Sequence, residues 1–140
     1  MEITKELAKF CSGLKFEEIL SEVVDRVKYF ALDFVGVAAR GSREDSTKSI
    51  YRLIKEIGLM TKGGVIIGTK MRAFHHYAAL ANGTSSRSLL LDDVNNEASL
   101  HPGAVIFPAA FAACEMAAKN GKRFIEGVVL GYEVMIRLGK

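Results

Sequence analysis

Residues Gly103 to Lys119, GAVIFPAAFAACEMAAK, constrain the fold most tightly. The segment reads as a helix that is apolar on nearly every side. Such a helix has no face to give to water and belongs at the centre of a bundle. Pro108 falls either in its first turn or at a kink, and Asn120-Gly121 ends it. The run is too short and too alanine-rich to cross a membrane, and Glu115 interrupts it. Two other segments can surround it. Phe16, Ile19, Leu20, Val23, Val24, Val27, Phe30, Ala31, Phe34 and Val35 recur at steps of three and four, which predicts an amphipathic helix near residues 17–39. It runs into the small residues Gly36 to Ala39 and stops at Gly41. Phe124 to Leu138 predicts a last helix with Val128, Val129, Tyr132, Met135 and Ile136 inward. The expected fold class is an all-α helical bundle, one domain over residues 1–140, with these three helices as its core.

The remaining elements are shorter. Ile3 to Phe10 suggests a first helix, with Ile3, Leu7 and Phe10 or Cys11 on one face. Ser46 to Ile57 suggests a surface helix with Ile50, Leu53, Ile54 and Ile57 inward. Lys62-Gly63-Gly64 reads as a turn, and Val65-Ile66-Ile67 as a strand or a buried connection. Arg72 to Ala81 predicts a helix ended by Asn82-Gly83, followed by a short helix capped by Ser85 or Ser86 and carrying Leu89, Leu90 and Leu91.

Charge excludes some functions. Nineteen basic and 16 acidic residues give +3, with no basic stripe of the kind a nucleic-acid surface needs. The beginning, MEITKELAKF, carries charge throughout and has no apolar signal core. Cys11 and Cys114 fit no metal spacing and suit a reduced, cytoplasmic setting.

Chemistry is concentrated between two apolar segments, in DDVNNEASLHPG. Polar loops on rigid scaffolds are common sites. Asp92 and Asp93 are adjacent, so on a helix end they point about a hundred degrees apart. With Asn95 and Glu97 they offer oxygen ligands, yet the spacing is not that of a calcium loop. His101 has an imidazole suited to proton transfer near neutrality. Pro102 favours an extended backbone before it, and Gly103 lets a ligand approach the next helix start, where free N–H groups suit a carboxylate. His101 therefore reads either as an acid/base group beside an anion site or as a brace for the helix. His75 and His76 do not share a face and are poor joint ligands. Glu115 and Glu133, in apolar helices, call for partners such as Arg72, Arg87 or Arg137.

In order along the chain stand Ala31-Leu32-Asp33-Phe34-Val35-Gly36-Val37 with Gly41, Ile67-Gly68-Thr69, Ala78 to Thr84, Leu91-Asp92-Asp93, His101-Pro102-Gly103, Pro108-Ala109-Ala110, Glu115 and Gly131-Tyr132-Glu133-Val134. In this order and spacing the chain resembles the N-terminal part of the MmgE/PrpD family, which includes 2-methylcitrate dehydratase, cis-aconitate decarboxylase and iminodisuccinate epimerase.

The resemblance implies a helical main domain, a smaller α/β lid in full-length members, homodimers and no metal or organic cofactor. It also implies small di- or tricarboxylate substrates, as in propionate catabolism, that lose a proton next to a carboxylate. Carried onto this sequence, it makes His101, Asp92 and Asp93 the catalytic candidates, and Asn82, Gly103 and Ser99 the substrate-binding candidates. Leu90 and Val94 stand where the family shows the first aspartate and the threonine of its acidic motif. Leucine cannot carry a proton. Further histidine and lysine site positions of the family lie downstream of Lys140, so the chain is expected to be inactive alone. It would need a partner chain or copy carrying the lid. The other reading is a non-catalytic helical module that keeps the scaffold for dimerisation or partner binding.

Overall fold

The computed structural model describes residues 2–140. Among them run six α-helices and one small hairpin: α1 (Glu2–Gly13), α2 (Ser21–Gly41), α3 (Asp45–Ile57), β1 (Gly64–Val65), β2 (Arg72–Ala73), α4 (His75–Arg87), α5 (Gly103–Met116) and α6 (Gly121–Gly139). The chain is an all-α bundle, as its periodicity predicts. No helix among the described residues is long and apolar enough to cross a membrane.

One core joins the three expected helices. Val27, Phe34 and Ala38 of α2 meet Ile106 and Phe107 of α5 and Val128 of α6. Phe34 and Phe107 stack with ring centroids 5.4 Å apart, and Phe111 lies 4.4 Å from Phe124. Offset aromatic pairs of this kind add about 0.5–1.5 kcal/mol beyond their buried area. Pro108 lies inside α5, beyond its first turn, and is buried.

A second core was not anticipated. Tyr51 and Ile54 of α3, Ile66 and Ala73 of the hairpin region, and Ala78 and Ala81 of α4 pack together. Its inner α3 face is Thr47, Tyr51 and Ile54, whereas Leu53 and Ile57 are exposed. The face is turned toward Thr47, whose Oγ1 lies 2.9 Å from Oγ of Ser88, just past the end of α4. Nor does α1 bury its stripe. Ile3 is 78% exposed, and no residue of α1 is fully buried.

Three further boundaries differ from the periodic reading, each through a tertiary contact. The helix expected from residue 17 begins at Ser21. Phe16–Glu18 is instead a single 3-10 turn whose first N–H, from Phe16, donates to Oε1 of buried Glu126 at 2.8 Å. A carboxylate from α6 thus captures the segment before α2. Arg72-Ala73 pairs antiparallel with Gly64-Val65, so α4 starts only at His75. Asn82-Gly83 does not end α4. The Asn82 side chain accepts from the Ile67 N–H at 2.9 Å and donates to the Val65 carbonyl at 2.8 Å. With its amide consumed by the hairpin, Asn82 does not compete for its own helix backbone.

The helices approach closely where side chains vanish. A Cβ on Gly41, at the end of α2, would lie 1.9 Å from the Ser85 carbonyl oxygen of α4. Gly36, in the same helix, has nothing within 4 Å of the equivalent position. Gly41→Ala should therefore destabilise the fold by at least ~1–3 kcal/mol, the cost of overpacking against backbone. Gly36→Ala should be neutral or stabilising by about 0.5–1 kcal/mol through helix propensity. Urea unfolding of the two variants checks the pair.

Candidate active site

Three helices converge on the polar loop. Arg87 ends α4, residues 88–102 form the loop, Gly103 starts α5, and Tyr132 reaches in from α6. The short helix expected around Leu89–Leu91 is absent. Leu90 sits at φ 55°, a left-handed conformation that is costly for leucine. It is 70% exposed and Leu91 is 64% exposed, so the apolar run faces outward and the two aspartates turn in.

The loop is closed twice. Asn95 and Leu100 exchange backbone hydrogen bonds at 2.9 and 3.1 Å, and Asn95 Oδ1 accepts from the Ala98 N–H at 2.9 Å. Outside this bridge, Asp93 Oδ1 accepts from the Gly103 N–H at 2.7 Å, while its Oδ2 accepts from the Tyr132 hydroxyl at 2.7 Å. The carboxylate stands at the N-terminus of α5, where the helix dipole favours negative charge. A Cβ on residue 103 would lie 2.3 Å from Asp93 Oδ1. Glycine is required there by Asp93, an intramolecular anion, in the place where the sequence suggests a ligand.

Asp92 faces the other way. Its side chain is 4% exposed, and Oδ1 accepts from Arg87 Nη1 at 3.1 Å. His101 Nδ1 stands 3.1 Å from Asp92 Oδ2. That contact is in ion-pair range but off the hydrogen-bond line, and both atoms are otherwise buried without a partner. On its far side, His101 Nε2 lies 3.4 Å from Arg87 Nη2. A guanidinium only donates, so a hydrogen bond at this contact requires Nε2 to accept, which puts the proton of the neutral ring on Nδ1. Asp92, His101 and Arg87 form a triangle in which the aspartate orients the ring and the arginine occupies its basic nitrogen.

Of the other residues singled out, Ser99 sits at φ 52° in the loop turn and is exposed. Asn82 is buried and fully used by the hairpin. It lines a separate cavity with Val35, Val65, Ile67, Phe111 and Glu115, so the structure does not bring it to His101. Glu115 takes no arginine. Its Oε2 accepts from the Val65 N–H at 3.1 Å, while Glu133 pairs with Arg137 as expected. Among the described residues, no group of three or more histidine, cysteine or acidic side chains is placed to hold a metal. The cavity between Asp92, Asp93, Gly103, Phe107, Tyr132 and Asp33 measures about 10 Å³, room for roughly one water.

Tyr132 and Arg87 are the residues that sequence reading did not place in the site. Tyr132 fell among the inward apolar positions. The signal was available in its hydroxyl, which needs a partner when its ring is buried. Burial, then the Asp93 carboxylate, then Asp33 raise the Tyr132 pKa far above the ordinary phenol value of 10. The group is therefore protonated and donating at any working pH. The unfolded chain loses this proton near pH 10 and the folded chain only well above it, so the stability it contributes is full below pH 10 and falls as pH rises further. In Tyr132→Phe, the decline in thermal stability between pH 10 and 12 should be shallower than in the parent chain.

The MmgE/PrpD N-terminal domain family model matches residues 5–140. The cis-aconitate decarboxylase of Aspergillus terreus is 30% identical over 144 residues, covering 99% of this chain and 29% of that protein. The cis-aconitate decarboxylase-like protein oryM of Aspergillus oryzae is 31% identical over 148 residues, covering 98% of this chain and 30% of that protein. This chain thus spans under a third of the length of these relatives. No solved structure matches it. With the ordered motifs, the helical bundle and the family match over nearly its whole length, the chain belongs to the MmgE/PrpD family, as its N-terminal domain.

Proposed function

We propose that this chain is the N-terminal helical part of a lyase acting on a small di- or tricarboxylate of the cis-aconitate or 2-methylcitrate kind, with His101 as its acid/base group. The observation that carries this reading is the Asp92–His101–Arg87 triangle, in which Asp92 is buried and the other two side chains are part-exposed. Asp92 holds the imidazole with Nδ1 toward itself and stabilises the imidazolium that forms when Nε2 takes a proton from carbon. The Arg87–Nε2 contact is long at 3.4 Å, and the arginine side chain is 41% exposed. A substrate carboxylate would draw the guanidinium away into a shorter, charge-assisted pair. That movement frees Nε2 beside the carbon that carries the substrate's acidic proton. In a dehydration the resulting carbanion would expel the β-hydroxyl as hydroxide, which takes the proton back from the imidazolium and leaves as water; in a decarboxylation the bond to the carboxylate would break instead, and the electron pair left on carbon as carbon dioxide departs would take its proton from the imidazolium.

The cavity of about 10 Å³ lies behind the two aspartates, is lined by neither His101 nor Arg87, and is far below the few hundred Å³ of an ordinary ligand pocket, so the substrate would sit on the open side of the triangle. In this proposal the outer wall comes from elsewhere, either the lid of a full-length relative or a second copy. The exposed Leu90, Leu91, Val94 and Val105 supply apolar surface for it to cover. The same exposed residues favour a second reading, a non-catalytic module that binds a partner through this face.

Thermal unfolding with cis-aconitate, 2-methylcitrate and a monocarboxylate control separates the two. At a hundredfold excess over the dissociation constant, a true ligand stabilises by about 2.7 kcal/mol. The polycarboxylates should raise the melting temperature and the control should not. His101→Ala and Arg87→Ala should each abolish the shift. No selective shift, together with a tight dimer, supports the module instead.

A further inference from the structure

We propose that Tyr132 is a positioning residue for His101, acting through Asp93, and that the two adjacent aspartates have separate tasks. Tyr132 lies on α6, and its hydroxyl bonds to Asp93, which is outside the triangle. Its hydroxyl holds Asp93 Oδ2 at 2.7 Å, and the other oxygen of the same carboxylate holds the Gly103 N–H at 2.7 Å. Asp93 is the neighbour of Asp92, and Gly103 follows His101 by two residues. The clamp therefore grips the loop at the base of both arms that carry the triangle. Pro102 sits between His101 and Gly103, fully buried at φ −67°, so a fixed Gly103 leaves His101 little backbone freedom. The ring of Tyr132 is anchored in turn against Phe30 and Phe107, each with centroids 6.0 Å away.

Both Asp93 oxygens are spent on this clamp, so Asp93 orders the loop. Asp92, with Oδ2 buried and otherwise unpartnered, is the carboxylate that faces the imidazole. On this proposal the two acids, both catalytic candidates by resemblance, divide the work. It deepens the lyase reading and rests on that reading only for its ligand arm.

The test is nitrogen-15 NMR of the His101 ring at a pH where an ordinary imidazole is neutral, in the intact chain and in three variants. The parent should show one fixed tautomer, with Nδ1 protonated and the two ring nitrogens well separated in shift. In Tyr132→Phe, which keeps the aromatic packing, the two shifts should converge as the tautomers average. Asp93→Ala should do the same. Asp93→Asn retains an acceptor for the Gly103 N–H and a partner for the hydroxyl, so it should keep the fixed tautomer. Polycarboxylate affinity, from the thermal shift, should fall at least tenfold in Tyr132→Phe and stay near the parent value in Asp93→Asn.

Averaged tautomers in Tyr132→Phe, with no polycarboxylate binding by the parent chain, would uphold the positioning role and remove the lyase reading. A Tyr132→Phe chain that merely melts earlier, with the His101 shifts and ligand response unchanged, would overturn the positioning role. So would an Asp93→Asn chain as impaired as Asp93→Ala, because the carboxylate charge itself would then be needed.

Discussion

The Asp93 carboxylate, accepting from the Gly103 N–H and the Tyr132 hydroxyl at 2.7 Å each, is the contact on which the rest of the site depends. It ties the polar loop to the start of α5 and to the side of α6. It satisfies one of the N–H groups that a helix start leaves without an intrahelical acceptor, and it places negative charge at the favourable end of the helix dipole. The same contact dictates glycine at position 103, because any Cβ would meet the carboxylate. With both oxygens used in this way, the part-buried Asp93 is a structural anion, whereas Asp92 faces the imidazole.

That clamp can be rigid because the helices around it are. Tyr132 is held by Phe30 of α2 and Phe107 of α5, inside the core that also contains Phe34, Ile106 and Val128. On the other side, α4 carries Arg87 at its end and is fixed by a second core with α3 and the hairpin. Small residues let these layers approach: Gly41 meets the Ser85 backbone, and the buried Ser85 and Ser86 hydroxyls bond to carbonyls of their own helix. The triangle of Asp92, His101 and Arg87 thus bridges the end of α4 to the loop whose far end Asp93 pins to α5 and α6.

The all-α class and the central core were legible because α2, α5 and α6 carry strong apolar periodicity or apolarity, and burial of apolar surface dominates such packing. What escaped was set by partners distant in sequence. Glu126 stops α2 from extending back over Phe16. The hairpin consumes the Asn82 amide and lets α4 run on to Arg87. Thr47 rotates α3 by meeting Ser88. His101 and the two aspartates were visible as a cluster of reactive side chains. Their division of labour was not, because adjacent acids look alike until their acceptors and donors are seen. Tyr132 and Arg87, 39 and 5 positions from the aspartates they touch, carry no local mark of a site.

The chain is a member of the MmgE/PrpD family and spans under a third of the length of its relatives. What it contributes is an oriented imidazole beside an exposed cation, held by a clamp that spans three elements. The claim that this clamp exists in solution is tested most directly by amide hydrogen exchange at Gly103. An N–H in the first turn of a helix ordinarily has no intrahelical acceptor and exchanges fast. With the clamp formed, the Gly103 amide is protected to a degree comparable to that of Phe107 in the middle of α5. Exchange at the rate of an open loop, with Phe107 still protected, would contradict it.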